Sequence, residues 1–547
     1  MPEVAAFLAR TGQPAWLAAL LARRGVIDSQ GAERFLHPSL DQLHDPFLLA
    51  GMEEAVARLL DARTRGERIA IVGDYDVDGS TATAQLMAVF RKCGLESEPV
   101  LPHRLREGYG FQTVHVERAR ELGCGLIVTA DCGSSSASAV EAALAAGIGV
   151  IVTDHHLPGS ELPAGTLHIN PRQAHCTYPF RDLAAAGLAL KLCLALALRC
   201  GFELDPAPLL RIACLGTIAD LVPLHGENRV IASLGLTALA GARSQGLKAL
   251  IQQSGMKPPF TAADIGFRLG PRLNAAGRLY DADRALELLM SRDAGRCLEL
   301  AAELDGWNRE RQAAENQVVE EARRQLAERS PLPPILVLWS ESWHKGVVGV
   351  AAGRIAKELH RPAVLLAVEG STATGSGRSV PGLELHSFLA AWKDRMARFG
   401  GHSQAVGLTV ETGRLEELRR EWEVAGAEWP EELLAHRVEY ELHLAPGEIT
   451  KGLLAKLAAL EPFGQGNPRP LLRTGPLRLQ GEPRAFGNGH LSARARGEDG
   501  AAVDLVGWRW GERAGSLRGP FEVLACVEHD SYRDGPVLRL VDSRPAL

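Results

Sequence analysis

The sequence predicts an α/β protein of several domains, with a mostly parallel sheet near the start and a strand-rich module at the end. Three observations carry this. From residue 56 to 156, short apolar runs (69–72, 126–128, 150–152) alternate with amphipathic stretches, as parallel strands joined by helical crossovers do. Residues 293–326 are polar and rich in Glu and Arg, which predicts one long helix stopped by Pro331, Pro333 and Pro334. From about residue 470, apolar and polar residues alternate between turn sequences at 487–489, 498–500 and 533–535, the pattern of short antiparallel strands.

The composition sets the class. A chain of 547 residues with 46% hydrophobic content can bury several cores, and its length suggests three or four domains. No apolar run is long enough to span a bilayer and nothing at the N-terminus resembles a signal peptide, so a soluble, cytoplasmic protein is expected. The nine Cys are an odd number, scattered without a C-x-x-C pair, so neither a disulfide framework nor a zinc knuckle is indicated. Cys124, Cys132 and Cys214 read as packing. A net charge of -6 argues against indiscriminate binding to nucleic acid but leaves room for a local basic groove.

Along the chain, residues 1–55 read as short helices that cover the adjoining sheet domain. Residues 45–62 then lead by helix into the first strand. That strand ends at Asp74, a helix runs to about Cys93 with Ser80 and Thr81 placed to cap it, and a second strand covers 98–101. The loop 102–111 is basic and aromatic. A third strand, 125–133, ends on Asp131, and a fourth, 148–156, ends on Asp154, His155 and His156.

Chemistry concentrates at these strand ends. In GDYDVDG (73–79), Asp74, Asp76 and Asp78 come at every second position, so their carboxylates can converge, and they repel one another unless a cation lies between them. D-x-D-x-D-G also opens an EF-hand loop, but here a strand precedes it and Gln85 occupies the twelfth position, where that loop needs Glu. In open parallel sheets, sites form at the carboxyl ends of strands, so Asp131 and the Asp154-His155-His156 run should reach the same rim. Asp220, after an apolar helix and before Pro223, should return there as well. Because adjacent residues leaving a strand point to opposite sides, one histidine is expected to bind metal and the other to face substrate or a supporting carboxylate. Several carboxylates with one or two imidazoles suit Mn²⁺ or Mg²⁺ and can hold two ions around a phosphate ester.

Eight segments extend this pattern: GDYDVDG, TADCG (129–133), DHH (154–156), GTIADLVPL (216–224), GPRLNAAGRL (270–279), WHKGVVGVAAGRIA (343–356), GSGRSVPG (375–382) and FGGHSQAVGL (399–408). With them the chain resembles the RecJ family of single-strand-specific 5′ exonucleases within the DHH phosphoesterase superfamily, up to EPFGQGNPRP at 461–470. The resemblance implies a DHH catalytic domain (56–292) behind the helical cover (1–55) and a connecting long helix (293–332) that links two lobes across a cleft. A smaller α/β DHHA1 substrate-binding domain (333–430) and an OB-like single-strand-binding domain (431–547) come after it. It implies two ions held by Asp76, Asp78, Asp131, His155 and Asp220, with Asp131 bridging, and Asp74, Asp154 and His156 as catalytic supports.

For substrate, the resemblance points to Ser376, Arg378 and His402 in the Gly-rich segments, where backbone amides of turns can cradle phosphate. Arg272, Asn274 and Arg278 would reach the DNA backbone, and Arg104 and Tyr109 would form a basic, stacking wall. Trp508, Trp510 and Tyr532 in the tail are stacking candidates, with core packing expected for at least one Trp. The implied activity is 5′ to 3′ digestion of single-stranded DNA to 5′-mononucleotides in DNA repair and recombination. The protein is expected to act as a monomer, with a single-strand-binding protein and a RecQ-type helicase as candidate partners. Two alternatives stay open: a DHH phosphodiesterase for short oligoribonucleotides or cyclic dinucleotides, which needs only the two central lobes, and a non-catalytic replication scaffold, which has no need to keep the ligands.

Overall fold

The computed structural model describes residues 2–103, 107–108, 110–159, 162–280, 282–487, 489–530 and 533–546; the side chains of residues 2, 278 and 279 are not described. Arg104, Tyr109, Tyr532 and the side chain of Arg278 therefore lie outside the described residues. The chain divides into two compact units. One comprises Met1–Pro102, Tyr109–Gly270 and Glu439–Leu547, the other His103–Gly108 and Pro271–Val438.

The first unit contains a five-stranded parallel sheet. Its strands are β1 (Arg68–Gly73), β2 (Ser97–Val100), β3 (Cys124–Ala130), β4 (Gly149–Thr153) and β5 (Leu167–Ile169), in the order β2-β1-β3-β4-β5. The central strands β1, β3 and β4 are apolar over most of their length because both faces are covered, while the edge strand β2 is polar and half-buried. Ile69, Ile71, Leu126, Val128 and Ile151 enter one core, while Ala70, Val72, Ile127, Val150 and Val152 enter the other. Strand β5 was not foreseen, since a three-residue run carries little periodicity.

Helix Val77–Lys92 follows β1 and differs from the expected amphipathic helix. It is buried over most of its length, packed against helices Ala185–Cys200 and Ala207–Ala219. Its N-cap is Asp76, which accepts from Gly79 N at 3.0 Å. Ser80 and Thr81 lie inside the helix, and Thr81 Oγ1 donates to Val77 O at 2.7 Å. The acidic turn winds into the helix earlier than the hydrophobic pattern suggests, because an Asp at N-cap competes well with Ser or Thr.

The second unit is built on the long helix Ala294–Ala327, capped by Asp293, whose carboxylate accepts from Arg296 N at 2.7 Å. Beside it lies a mixed sheet of β6 (Leu336–Ser340), β7 (Ala363–Glu369), β8 (Thr372–Arg378), β9 (Arg398–His402) and β10 (Ala405–Glu411), ordered β6-β7-β8-β10-β9. The β6–β7 pair is parallel and the rest are antiparallel.

The C-terminal strands are β11 (Leu442–His443), β12 (Leu472–Leu479), β13 (Arg484–Phe486), β14 (His490–Gly497), β15 (Ala502–Gly507), β16 (Phe521–Asp530) and β17 (Gly535–Pro545). Strand β12 pairs with both β16 and β14, so β12-β14-β15-β17-β16 closes on itself as a five-stranded barrel, with only the β15–β17 pair parallel. This is the OB-like module that the resemblance implies, built from the short strands that the alternation predicts.

The N-terminal helices do not simply cover the sheet domain next to them. Helices Pro2–Arg10, Trp16–Arg23 and Ser29–Leu36 share a core with the barrel, in which Leu8, Leu17, Leu21 and Phe35 join Leu477, Trp510, Phe521 and Leu538. Their apolar faces are satisfied by the far end of the chain, a pairing that no local pattern encodes.

Arg229 ties these parts together. Its buried guanidinium donates to Phe35 O (2.8 Å), Leu460 O (3.0 Å) and Glu461 O (2.7 Å) and lies over the Phe35 ring. Nearby, buried Lys191 pairs with Glu227, which also accepts from Tyr178 OH at 2.6 Å and His44 N at 2.8 Å. Removing one partner of such a buried pair leaves the other charge uncompensated. Glu227→Ala should therefore lower unfolding free energy by about 3–5 kcal/mol in a chemical denaturation curve.

Candidate metal centre

The carboxyl ends of β1, β3 and β4 meet at one rim, and each strand stops just before its acidic residue. Asp74 N donates to Ala130 O, Asp131 N to Thr153 O and Asp154 N to Ile169 O, so the register of the sheet places each carboxylate. Asp131 adopts φ 73°, a left-handed conformation that Asp tolerates better than bulkier residues. Asp220 caps helix Ala207–Ala219 at the same rim.

Among the described residues, three groups of side chains bring ligand atoms within 4.8 Å of one another: Asp131, His155 and His156; Asp78, His155 and Asp220; and Asp74, Asp76 and Asp131. Asp131 and His155 each belong to two of them. Asp131 Oδ1 lies 3.1 Å from His155 Nε2, and both atoms are buried without a hydrogen-bond partner. An acceptor oxygen and an imidazole nitrogen left facing each other in this way fit a divalent cation between them, and the oxygen-rich set around them suits Mn²⁺ or Mg²⁺.

Asp78 is held from behind, its oxygens accepting from Ala185 N (2.7 Å) and Ala186 N (2.8 Å). Helix Ala207–Ala219 can approach it because residue 216 is Gly: a Cβ there would lie 2.5 Å from Asp78 Oδ1. Burial, and then the Asp76 charge, pushes the Asp78 carboxyl up to about 7. Burial and the Asp78 charge raise Asp220 to about 9 and Asp131 well above its ordinary value. Burial, followed by the neighbouring His156, lowers His155 to about 3, which keeps its ring neutral and its lone pair available.

The two histidines do not diverge as period-two geometry predicts. Strand β4 ends at Thr153, so His155 and His156 leave from a loop, with their ring centroids 4.4 Å apart. The division of labour comes instead from hydrogen bonds. Asp154 Oδ1 accepts from His155 N (2.8 Å) and His156 N (3.1 Å) and meets His156 Nδ1 at 2.8 Å, while Oδ2 accepts from Ser134 N (2.8 Å). Burial alone would raise Asp154, but the His156 ring and these amides bring it below the usual carboxylate range. A carboxylate in that state only accepts, so the His156 Nδ1 carries the proton. Burial works against this on His156, and Asp154 outweighs it, so the ring titrates above its ordinary value.

Sequence reasoning missed the polar layer beneath this loop. Asn170, buried after β5, donates to His156 O and Ser134 Oγ, both at 2.9 Å, and Ser134 Oγ lies 2.9 Å from His168 Nε2. The only signal available was the polar HINPRQ run (168–173), whose partner Ser134 is more than thirty residues away.

In the second unit, Ser376 and Arg378 share one face of β8, against helix Val348–Leu359. A Cβ on Gly349 would lie 3.1 Å from Ser376 Oγ and 3.2 Å from Arg378 Nη2. Ala405 of β10 is in register with both Arg378 and His402, which brings the third candidate onto the neighbouring strands. Gly375 and Gly377 are not in a phosphate-cradling turn as expected. GSGR lies within β8, where a Cβ at Gly375 would come 1.9 Å from Leu365 O, so close strand packing requires them. Arg272 is paired with Asp305 at 2.8 Å, and Asn274 lies in the same helix, Gly270–Leu279. In the barrel, Trp510 is core while Trp508 is 53% exposed beside Phe486 and His490.

Known proteins resemble this chain along most of its length. The model of the DHH family N-terminal domain matches residues 68–217, that of the DHHA1 domain residues 333–424, and that of the RecJ OB domain residues 440–541. The chain is 38% identical over 501 residues to the single-stranded-DNA-specific exonuclease RecJ of Bacillus subtilis, covering 91% of this chain but only 63% of that relative's length. It is 38% identical to RecJ of Escherichia coli, covering 87% of this chain and 86% of the relative. The crystal structure of Thermus thermophilus RecJ in complex with Mn²⁺ superposes with a TM-score of 0.84 at 30% identity, covering 100% of this chain and 78% of that one. A second structure of that protein, in complex with Mg²⁺, gives 0.79 at 29% identity, covering 100% and 76%. With catalytic-type, DHHA1 and OB segments matched in order along most of its length, this chain belongs to the RecJ family of single-stranded-DNA-specific exonucleases.

Proposed function

We propose that this chain digests single-stranded DNA from its 5′ end to 5′-mononucleotides, with two Mn²⁺ or Mg²⁺ ions, in DNA repair and recombination. The observation that carries the reading is that Asp131 belongs to two candidate ligand groups, one with His155 and His156 and one with Asp74 and Asp76, because a single carboxylate can serve two neighbouring ions. Asp76, Asp78, Asp131, His155 and Asp220 are the ligands in this reading, with Asp131 bridging, and Asp74 supports them. When bound, the ions would neutralise charge on the phosphate and let water act as a nucleophile near neutral pH.

The protein's own side chains do the rest. The backbone amides of Ala185 and Ala186 aim Asp78, and the neutral His155 ring offers a lone pair without needing deprotonation. Asp154 fixes the His156 tautomer, which leaves Nε2 as the edge that meets the scissile phosphate or the attacking water. Ser376, Arg378 and His402 anchor the 5′-phosphate. Arg272, oriented by Asp305, together with Asn274, Arg278, Arg104 and Tyr109 guides the strand, and Trp508 offers a stacking surface.

The functional division we adopt is a helical segment (1–55), catalytic domain (56–292), connecting helix (293–332), DHHA1 domain (333–430) and OB-like domain (431–547). A single-strand-binding protein and a RecQ-type helicase are the partners this activity would call for. Among the described residues, no helix is long and apolar enough to cross a membrane, and action in the cytoplasm as a monomer is part of the same proposal.

The direct test is Mn²⁺-dependent digestion of 3′-labelled oligonucleotides: single-stranded DNA with and without a 5′-phosphate, blunt duplex and short RNA. Progressive shortening of single-stranded DNA with duplex spared is expected, whereas activity confined to short RNA would overturn the polymer assignment. Asn170→Ala should cost about 10- to 100-fold in activity or metal affinity, because it frees the loop that carries both histidines. The metal response has a pH signature. Folded-state values of about 7 for Asp78 and about 9 for Asp220 lie above the ordinary 3.8, so the metal-free fold binds more protons than the unfolded chain. It therefore loses stability as pH rises from about 4 toward 9. Mn²⁺ displaces those protons, so its effect on the melting temperature should be larger at pH 8 than at pH 6 and absent in Asp131→Ala.

A further inference from the structure

Asp220, like Asp76, is a candidate ligand on the more open side of the centre. Asp131, Asp78 and His155 are enclosed by the sheet and its helices, whereas Asp220 is only partly buried at the last turn of helix Ala207–Ala219, where helices fray. Its amide still donates to Gly216 O at 2.9 Å, but the next residue, Leu221, is thrown into a left-handed conformation with φ 61°. A bulky residue holds such a conformation only where its surroundings dictate it.

Two residues further on, the same loop is contacted from the far end of the chain, in a segment that the proposed function leaves unused. In GQGN (464–467), Gly464 N donates to Asn467 O (2.9 Å) and Asn467 N to Gly464 O (3.1 Å), closing a tight turn. The turn is locked through the buried Asn467 side chain. Its Oδ1 accepts from Arg24 Nε at 2.7 Å, and its Nδ2 donates to Leu460 O (2.7 Å) and Pro462 O (2.8 Å). The turn then grips the Asp220 loop, with Leu224 N donating to Gln465 O at 2.7 Å. Side-chain contact fits tightly as well. A Cβ on Gly464 would lie 2.6 Å from Leu224 Cδ1, and one on Gly466, at φ 71°, would lie 3.0 Å from Pro223 Cβ. From the other side, Asn228 Nδ2 donates to Pro223 O at 3.1 Å.

We propose that the Gly464–Asn467 turn is a positioning element of the metal centre, holding the Leu221–Leu224 loop so that Asp220 faces its partner ligands Asp78 and His155. The inference rests on the reading of Asp220 as a metal ligand. It makes the ligand set incomplete without the segment that leads into the OB-like module, because helix Ala207–Ala219 ends at Asp220 and supports it from one side only. Asn467 and both glycines are positioning residues that need not touch substrate or metal.

The test is calorimetric titration of the metal-free full chain with MnCl₂, without DNA, with metal-free melting temperatures recorded in parallel. Gly464→Ala should weaken Mn²⁺ binding by about 10-fold, within the range for residues that orient ligands. Gly466→Ala, which strikes Pro223 instead, should act in the same direction. Combining Gly464→Ala with Leu224→Ala removes the atoms that the new Cβ meets and keeps the Leu224 amide, so it should restore Mn²⁺ binding although it opens a cavity and lowers the melting temperature. A merely structural role would give the opposite order, with binding following stability. If both glycine variants fold and bind Mn²⁺ as wild type while Asp220→Asn binds it weakly, the turn does not position the ligand. If Asp220→Asn binds Mn²⁺ normally, the ligand assignment itself fails and takes the inference with it. Should Gly464→Ala not fold, Gly466→Ala and the double variant decide.

Discussion

The structure depends on a repulsion. Asp78, Asp131 and Asp220 are carboxylates crowded at one rim of a parallel sheet, buried enough that their charges oppose one another and each titrates above its ordinary value. A fold without a use for them would lose this arrangement readily, since buried like charges cost stability wherever no cation offsets them. The architecture uses backbone hydrogen bonds to hold them in place, with Ala185 and Ala186 behind Asp78 and the strand register behind Asp131. The same electrostatic logic keeps His155 neutral and the Asp154–His156 pair polarised within a few ångströms.

Rigidity around that rim is supplied from remote parts of the chain. Arg229 gathers carbonyls from residue 35 and from residues 460 and 461, Arg24 joins Asn467 and Glu441, and the N-terminal helices complete the core of the C-terminal barrel. The first and last segments of the sequence thus form one body with the parallel-sheet domain. Guanidinium groups suit this task, because one planar fork can satisfy several carbonyls that would otherwise be buried without donors. A strand-rich module fastened in this way is less a tethered accessory than part of the same compact unit as the parallel-sheet domain.

The sites that sequence reasoning placed well and those it misplaced differ in kind. Asp74, Asp131 and Asp154 follow strands whose apolar runs are long enough to read, and the strands do end there. His155 and His156 were assigned to opposite sides on the assumption that β4 continued through them; it stops two residues earlier and the rings lie side by side. Ser80 and Thr81 look like caps only if the helix begins after them, and Asp76 takes the cap instead. GSGR looks like a turn because glycine usually marks one, whereas here it marks the close approach of β7 to β8. Each miss sits at an element boundary or at a glycine, where one residue type serves two geometries.

By itself, the sequence determined the order of the first four strands, the acidic and imidazole inventory at the strand ends, the long helix near residues 293–326 and the alternating tail. These follow from local periodicity and residue chemistry, which need no knowledge of distant neighbours. Only the tertiary structure decided which ligands share a group, how Asn170 and Ser134 support the histidine loop, and that residues 4–35 belong to the core of the barrel. It alone brought Gln465 to Leu224 from the far end of the chain. Those contacts arise from the closure of the chain on itself, and the residues that make them carry no periodic signal that would announce their partners.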